Sequence, residues 1–210
     1  LIKAKPKNLI VVEIDKAYVE TLSKVLQSST VKTTLISEDI LKTDIYRYFS
    51  EPPVIFGNLP YNISTKILAK LLPPSNDKNK WEKLFLMFQL EVANRIVAKP
   101  NTKQYGRLSL FSQFYSFPSL ELQIPKTSFF PIPKVESALV KFQSNYRYYH
   151  KHNGALFRDI IKKSFQGRRK MIKNTLKTSY KNIIELMATS NIPENSRPEN
   201  INLQQFCNLT

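Results

Sequence analysis

The chain has 210 residues, enough for one sizeable domain with a small appendage, and its 42% hydrophobic and 11% aromatic content excludes an intrinsically disordered polymer. Its 32 Lys and Arg oppose 16 Asp and Glu, a formal net charge of +16, which points to a polyanionic partner: nucleic acid fits best, because each neutralised phosphate releases counterions, and an acidic membrane surface is the competing reading. Cys207 is the single cysteine, so an internal disulfide is excluded. No C-x-x-C or Cys/His cluster offers a metal site, and no run reaches the ~18 apolar residues of a membrane span; a cytoplasmic, metal-free protein is expected.

Residues 1–5 (LIKAK) read as the tail of a helix that begins further upstream. Residues 9–14 (LIVVEI) form a short β-branched run closed by Glu13 and Asp15, which suits a strand buried on both faces of a parallel sheet. Residues 17–26 carry Val19, Leu22, Val25 and Leu26 at helical spacing. A second strand is predicted over 31–36, running into the acidic Ser37-Glu38-Asp39. Pro52 and Pro53 break the chain before a third strand at 54–56, which stops at Gly57-Asn58-Leu59-Pro60-Tyr61. A helix over 64–72 ends at Pro73-Pro74, and 75–80 is polar linker. Residues 83–88 (KLFLMF) give a fourth strand and 90–98 the helix after it. Residues 120–124 and 137–142 are two further strands, an antiparallel pair around a proline-rich loop.

Strands alternating with helices argue for an α/β protein in which ligands sit at the carboxyl ends of the strands. From about Tyr146 the pattern changes to Lys/Arg-rich amphipathic helices over 156–165, 168–176 and 183–189, with a last apolar segment at 203–207. The expected division is a larger domain over residues 1–146 and a small helical domain over 147–210.

Glu13, Asp39 and Asn58 each follow an apolar strand, so a doubly wound sheet lines them along one edge. A carboxylate there can accept from ribose hydroxyls, and another from an adenine amino group. A single strand-end acid more often caps a helix; three in register favour a ligand. Asn58-Leu59-Pro60-Tyr61 has chemistry of its own. The lone pair of an exocyclic aromatic amine is delocalised into its ring, so methyl transfer to it needs acceptors that hold the NH2 group. The Asn58 side-chain oxygen supplies one. The Leu59 carbonyl, whose ψ is restricted by Pro60, supplies another, and Tyr61 offers a face for an extruded base. Alone, the tetrapeptide reads more readily as an Asn-x-Pro turn with a packed tyrosine.

It does not stand alone. Phe56-Gly57-Asn58-Leu59-Pro60-Tyr61-Asn62-Ile63-Ser64-Thr65 resembles the signature of the KsgA-type ribosomal RNA adenine dimethyltransferases. Val12-Glu13-Ile14-Asp15, Glu38-Asp39-Ile40-Leu41, Gln89-Leu90-Glu91-Val92-Ala93-Asn94-Arg95, Tyr105-Gly106-Arg107-Leu108-Ser109, Phe129-Phe130-Pro131-Ile132-Pro133-Lys134-Val135-Glu136-Ser137 and Arg168-Arg169-Lys170-Met171-Ile172-Lys173-Asn174 agree with the same family in order and spacing. The resemblance implies a Rossmann-like class I methyltransferase sheet and dimethylation at N6 of two adjacent adenines near the 3′ end of 16S rRNA in the 30S subunit, with S-adenosyl-L-methionine as cofactor, by a monomer. By the same resemblance Glu13 binds the cofactor ribose, Asp39 its adenine amino group and Ile40 the adenine face, with Asn58 adjoining. Asn58, Leu59, Pro60 and Tyr61 hold the target adenine, and Phe129 stacks on its other side, with Phe130 as the alternative. Arg95, Arg107, Lys134, Arg168, Arg169 and Lys170 are the candidate RNA contacts, within a basic cluster that also includes Lys162, Lys163, Lys173 and Lys177; a solvated helix face is the plain alternative for such a run.

The family pattern also has a glycine-rich loop after its first strand. The glycines here are Gly57, Gly106, Gly154 and Gly167, so there is no G-x-G. The resemblance therefore implies that the first strand, that loop and most of the next helix lie outside this chain, and that calorimetry finds weak S-adenosylmethionine affinity. Two rivals remain: a related methyltransferase acting on large-subunit rRNA, and a non-catalytic RNA-binding or assembly protein.

Overall fold

The structure, a computed structural model, describes residues 1–74, 81–167 and 169–210. The expected linker 75–80 and Arg168 lie outside the described residues. Strand β1 (Asn8–Glu13) leads through helix α1 (Lys16–Gln27) to β2 (Lys32–Ser37), and the two strands pair in parallel. Asp15 caps α1, its carboxylate accepting from the Ala17 N–H at 2.8 Å. Strand β3 (Val54–Asn58), helix α2 (Ser64–Leu71) and β4 (Lys83–Gln89) form a second parallel unit. Helices α3 (Leu90–Val97) and α4 (Arg107–Tyr115) precede β5 (Ser116–Ile124) and β6 (Ser137–Ser144). β6 runs antiparallel to both β4 and β5, giving the order β3-β4-β6-β5. The chain ends in α5 (Tyr146–Tyr149), α6 (Gly154–Ser164), α7 (Ile172–Leu176), α8 (Ile183–Thr189) and α9 (Leu203–Asn208).

Parallel β-α-β units with an antiparallel edge make this the Rossmann-like α/β architecture. Three details differ from expectation. First, the strands form two sheets, β1-β2 and β3-β4-β6-β5, so that β1 pairs with β2 alone among the described residues. β1 is consequently half-buried rather than buried on both faces, and Val54 and Phe56 of β3 are 41% and 53% exposed. Second, α4 escaped prediction. Ser109, Leu110, Ser112, Phe114 and Tyr115 are all buried, so apolar and small residues surround the helix and no stripe of period 3.6 marks it. Third, the helix expected over 168–176 starts at Ile172.

One core serves the sheet and the C-terminal helices. Trp81, Phe88, Phe114, Phe142, Phe157 and Phe206 are all but inaccessible within it. Phe114 of α4 stacks on Phe157 of α6 with centroids 4.1 Å apart, and the Tyr105 hydroxyl donates to the Ile201 carbonyl at 2.9 Å. Burial contributes about 1.5–3 kcal/mol for each such phenylalanine, which ties residues beyond 146 firmly to the sheet. No described helix is long and apolar enough to cross a membrane.

Candidate functional site

Strand register brings two distant loops to one end of the sheet. Asn58, the last residue of β3, lies opposite Met87 of β4, and Gln89, two residues further along β4, lies opposite Ser137, the first residue of β6. The segment leaving β3 and the segment entering β6 therefore emerge together. They form an open cleft of about 230 Å³ lined by Asn58, Leu59, Pro60, Tyr61, Phe129, Phe130, Pro131 and Pro133.

Local chemistry shapes each wall. Pro60 lacks an N–H and ends the ladder; its carbonyl accepts from the Ile63 N–H at 3.1 Å, turning the chain into α2. Gly57 lets Leu59 fold over the strand: a Cβ there would stand 2.7 Å from Leu59 Cδ2 and 3.0 Å from Leu86 Cδ2. Asn58 is exposed and Leu59 half-buried. The Tyr61 hydroxyl and the buried Ser137 hydroxyl are 2.5 Å apart, a hydrogen bond across 76 positions of sequence. The Ser64 hydroxyl donates to the Tyr61 carbonyl at 3.1 Å. Phe129 is half-buried, with extended backbone (φ −120°, ψ 150°).

Glu13 and Asp39 stand at the carboxyl ends of β1 and β2, outside the residues that line the cleft. Glu13 Oε1 accepts from the N–H groups of Ile14 and Asp15, each at 2.8 Å, which fixes the carboxylate. Asp39 Oδ1 accepts from the Leu41 N–H at 2.8 Å. Ile40 is partly buried against the core, and its carbonyl accepts from Lys70 Nζ at 2.8 Å, as does that of Thr43 at 2.6 Å. Lys70 thus ties the loop after β2 to α2, the helix that follows the cleft loop. Two oriented carboxylates beside an apolar side chain fit the adenosine half of a nucleoside cofactor, the diol and the amino group each finding an acceptor. Among the described residues no group of His, Cys, Asp and Glu has the arrangement of a metal site.

Arg95, Arg107, Lys134, Arg169 and Lys170 are all exposed, and Arg168 lies outside the described residues. The rest of the basic cluster is not uniform. Lys163 pairs with Asp159 at 2.6 Å and lies 5.1 Å from the centre of the Tyr180 ring, while Lys173 pairs with Glu194 at 2.7 Å. These two lysines are partly neutralised within the protein.

Two residues that shape the site escaped sequence reasoning. Ser137 closes the motif that begins at Phe129, so its place was visible although its partner was not. Lys70 is a lysine within an ordinary amphipathic helix and carries no local signal.

The family model described as ribosomal RNA adenine dimethylase matches residues 1–210. The chain is 40% identical over 211 residues to ribosomal RNA small subunit methyltransferase A of Blochmanniella floridana, covering 96% of this chain and 74% of that protein. It is 37% identical to the protein of the same name from Ehrlichia ruminantium, over all of this chain and 79% of that one. Among solved structures, a dimethyladenosine transferase from Plasmodium falciparum superposes with a TM-score of 0.82 at 22% identity, covering 99% of this chain and 83% of its own. The 23S rRNA methyltransferase ErmE superposes with a TM-score of 0.69 at 20% identity, covering 95% and 79%. These two show the fold.

Proposed function

The chain belongs to the ribosomal RNA adenine dimethylase family, and from that premise we propose that it is the part of an S-adenosylmethionine-dependent enzyme that holds the target adenine while N6 is dimethylated in small-subunit rRNA. The names of its relatives favour the small subunit over the large one. The substrate site proposed is two adjacent adenines near the 3′ end of 16S rRNA within the 30S particle, reached in the cytoplasm.

The observation that carries this reading is the open cleft in which Asn58, Leu59, Tyr61 and Phe129 converge. The Asn58 side-chain oxygen and the Leu59 carbonyl accept from the two N6 hydrogens, which turns the nitrogen lone pair out of conjugation and toward the incoming methyl group. Tyr61 and Phe129 clasp the base between aromatic faces, each such stack contributing about 1–3 kcal/mol. Pro60 keeps the Leu59 carbonyl in place. When bound, the cofactor supplies an electrophilic methyl on a sulfonium; Glu13 would hold its ribose, Asp39 its adenine amino group and Ile40 its ring face. None of the groups proposed to hold the substrate amine ionises near neutrality, so catalysis rests on positioning and fixed dipoles.

Residues 147–210 pack on the same core and serve as an RNA-gripping appendage. Arg169 and Lys170 contact phosphates there, with Arg168 beside them in sequence, and Arg95, Arg107 and Lys134 do so from the larger domain, fixing register without reading bases.

Asn58→Ala in a full-length version of the enzyme tests the reading. The expected result is loss of methyl transfer to purified 30S particles with RNA affinity retained, and undiminished transfer ends the enzymatic interpretation.

A further inference from the structure

Both rings line the cleft, and the clasp proposed there uses Phe129 and leaves Phe130 without a role. Phe130 is fully solvent-exposed, at 101% relative accessibility, on the rim of the same cleft. A whole phenyl ring in water is an unfavourable arrangement in an isolated protein. The two neighbouring rings differ in setting, Phe129 half-buried and Phe130 wholly in solvent. Pro131 and Pro133 narrow the backbone freedom of the residues before them, which lowers the entropy the loop loses on binding.

Lys126 and Lys134 stand four residues before and after it in sequence, both exposed. An exposed aromatic ring on a segment with a lysine before it and another after it, in a chain of net charge +16, suits a nucleobase of a phosphate-bearing strand more closely than it suits an apolar protein face. RNA chemistry supplies such a base. Turning one adenine into the cleft unstacks its neighbour in the strand and exposes that neighbour's face.

We infer that Phe130 is a second stacking site, which takes the nucleobase flanking the adenine held in the cleft. This assignment rests on the adenine-holding role proposed for the cleft and adds a second subsite at its rim. Phe130 then acts as a splint. By capping the exposed neighbour it keeps the strand open at the rim, and it does so without reading the identity of the base, because every base has a stacking face.

The test uses the whole chain and a short U-rich RNA with one adenine, carrying fluorescent 2-aminopurine at either flanking position. 2-Aminopurine has no 6-amino group and so does not compete for the Asn58 and Leu59 acceptors. Binding should quench the probe on at least one flank. Phe130→Ala and Phe130→Leu should abolish that quenching and weaken binding about 10-fold, on the scale of one lost stack, and Phe130→Trp should restore both. Because the side chain is exposed, the melting temperature should not change. Quenching that is absent, or equal in wild type and Phe130→Ala, overturns the assignment. A separate comparison isolates the premise: the adenine-containing RNA should bind more tightly than an all-uridine one, and Asn58→Ala should erase the preference. If that preference is absent the cleft reading fails first; if it is present and Phe130→Ala leaves the flanking probe unchanged, only the Phe130 site fails.

Discussion

Gly57→Ala puts one methyl group where Leu59 Cδ2 stands at 2.7 Å and Leu86 Cδ2 at 3.0 Å. Carbon–carbon contacts are favourable at ~3.5–4.0 Å, so nearly 1 Å of separation has to be found. Leu86 is completely buried in β4, inside a close-packed core, and has nowhere to go. Leu59, half-buried beside the cleft, moves instead, and with it the carbonyl proposed to hold the substrate amine. A displacement near 1 Å at a positioning group costs on the order of 10²-fold in rate, or about 2.7 kcal/mol of barrier. Overpacking costs about 1–3 kcal/mol of stability, and a chain of this size loses about 2–4 °C per kcal/mol. In a full-length version methyl transfer to 30S particles should therefore fall about 100-fold in kcat, with RNA affinity unchanged and the melting temperature lower by no more than about 12 °C. Leu59→Ala in the same chain removes the clashing methyl groups while leaving the carbonyl, so the double variant should be faster than Gly57→Ala alone, a coupling expected of residues in contact. A folded Gly57→Ala protein with an unaltered rate would refute the positioning role of Leu59.

The Tyr61–Ser137 hydrogen bond should appear in a double-mutant cycle of Tyr61→Phe and Ser137→Ala as a coupling of about 0.5–1.5 kcal/mol in kcat/KM; strict additivity would show that the anchor does not steer the ring. Burial pushes the Cys207 thiol up to about 12, so native protein at pH 8 should resist a thiol-specific disulfide reagent that titrates one equivalent after denaturation, and reaction at the denatured rate would show Cys207 to be accessible. Hydrogen bonds from Lys163, and next from Tyr180, hold the Asp159 carboxyl below the usual carboxylate range. A lowered folded-state pKa stabilises above the unfolded value and is lost as pH falls through the folded one. Asp159→Asn should accordingly lower the melting temperature at pH 7 and make no difference at pH values below the folded-state pKa; a pH-independent difference would assign the loss to packing.

What could be read before any coordinates was what local chemistry decides. The run KLFLMF reads as β4 because six apolar or amphipathic residues after a polar linker have the length of a buried strand, and the Asn58–Tyr61 loop is where it is because Pro60 cannot continue a strand. What stayed hidden depended on partners distant in sequence. α4 is buried on all sides by α3, α6 and the sheet, which removes the amphipathic stripe that would have announced it. The half-exposed state of β1 follows from its pairing, among the described residues, with β2 alone, which no property of LIVVEI encodes.

The cleft itself shows how these levels combine. Neither loop contains it. β4 is the strand that makes it, by pairing in parallel with β3 and antiparallel with β6, so that an amide following one strand and an aromatic pair preceding another reach the same end. Reversing the direction of β6 alone would carry Ser137 to the opposite end of β4 and leave Tyr61 without its anchor. The antiparallel placement of β6 is thus tied to the proposed function as well as to topology: it is the condition under which the proposed clasp of a base between Tyr61 and Phe129 can form.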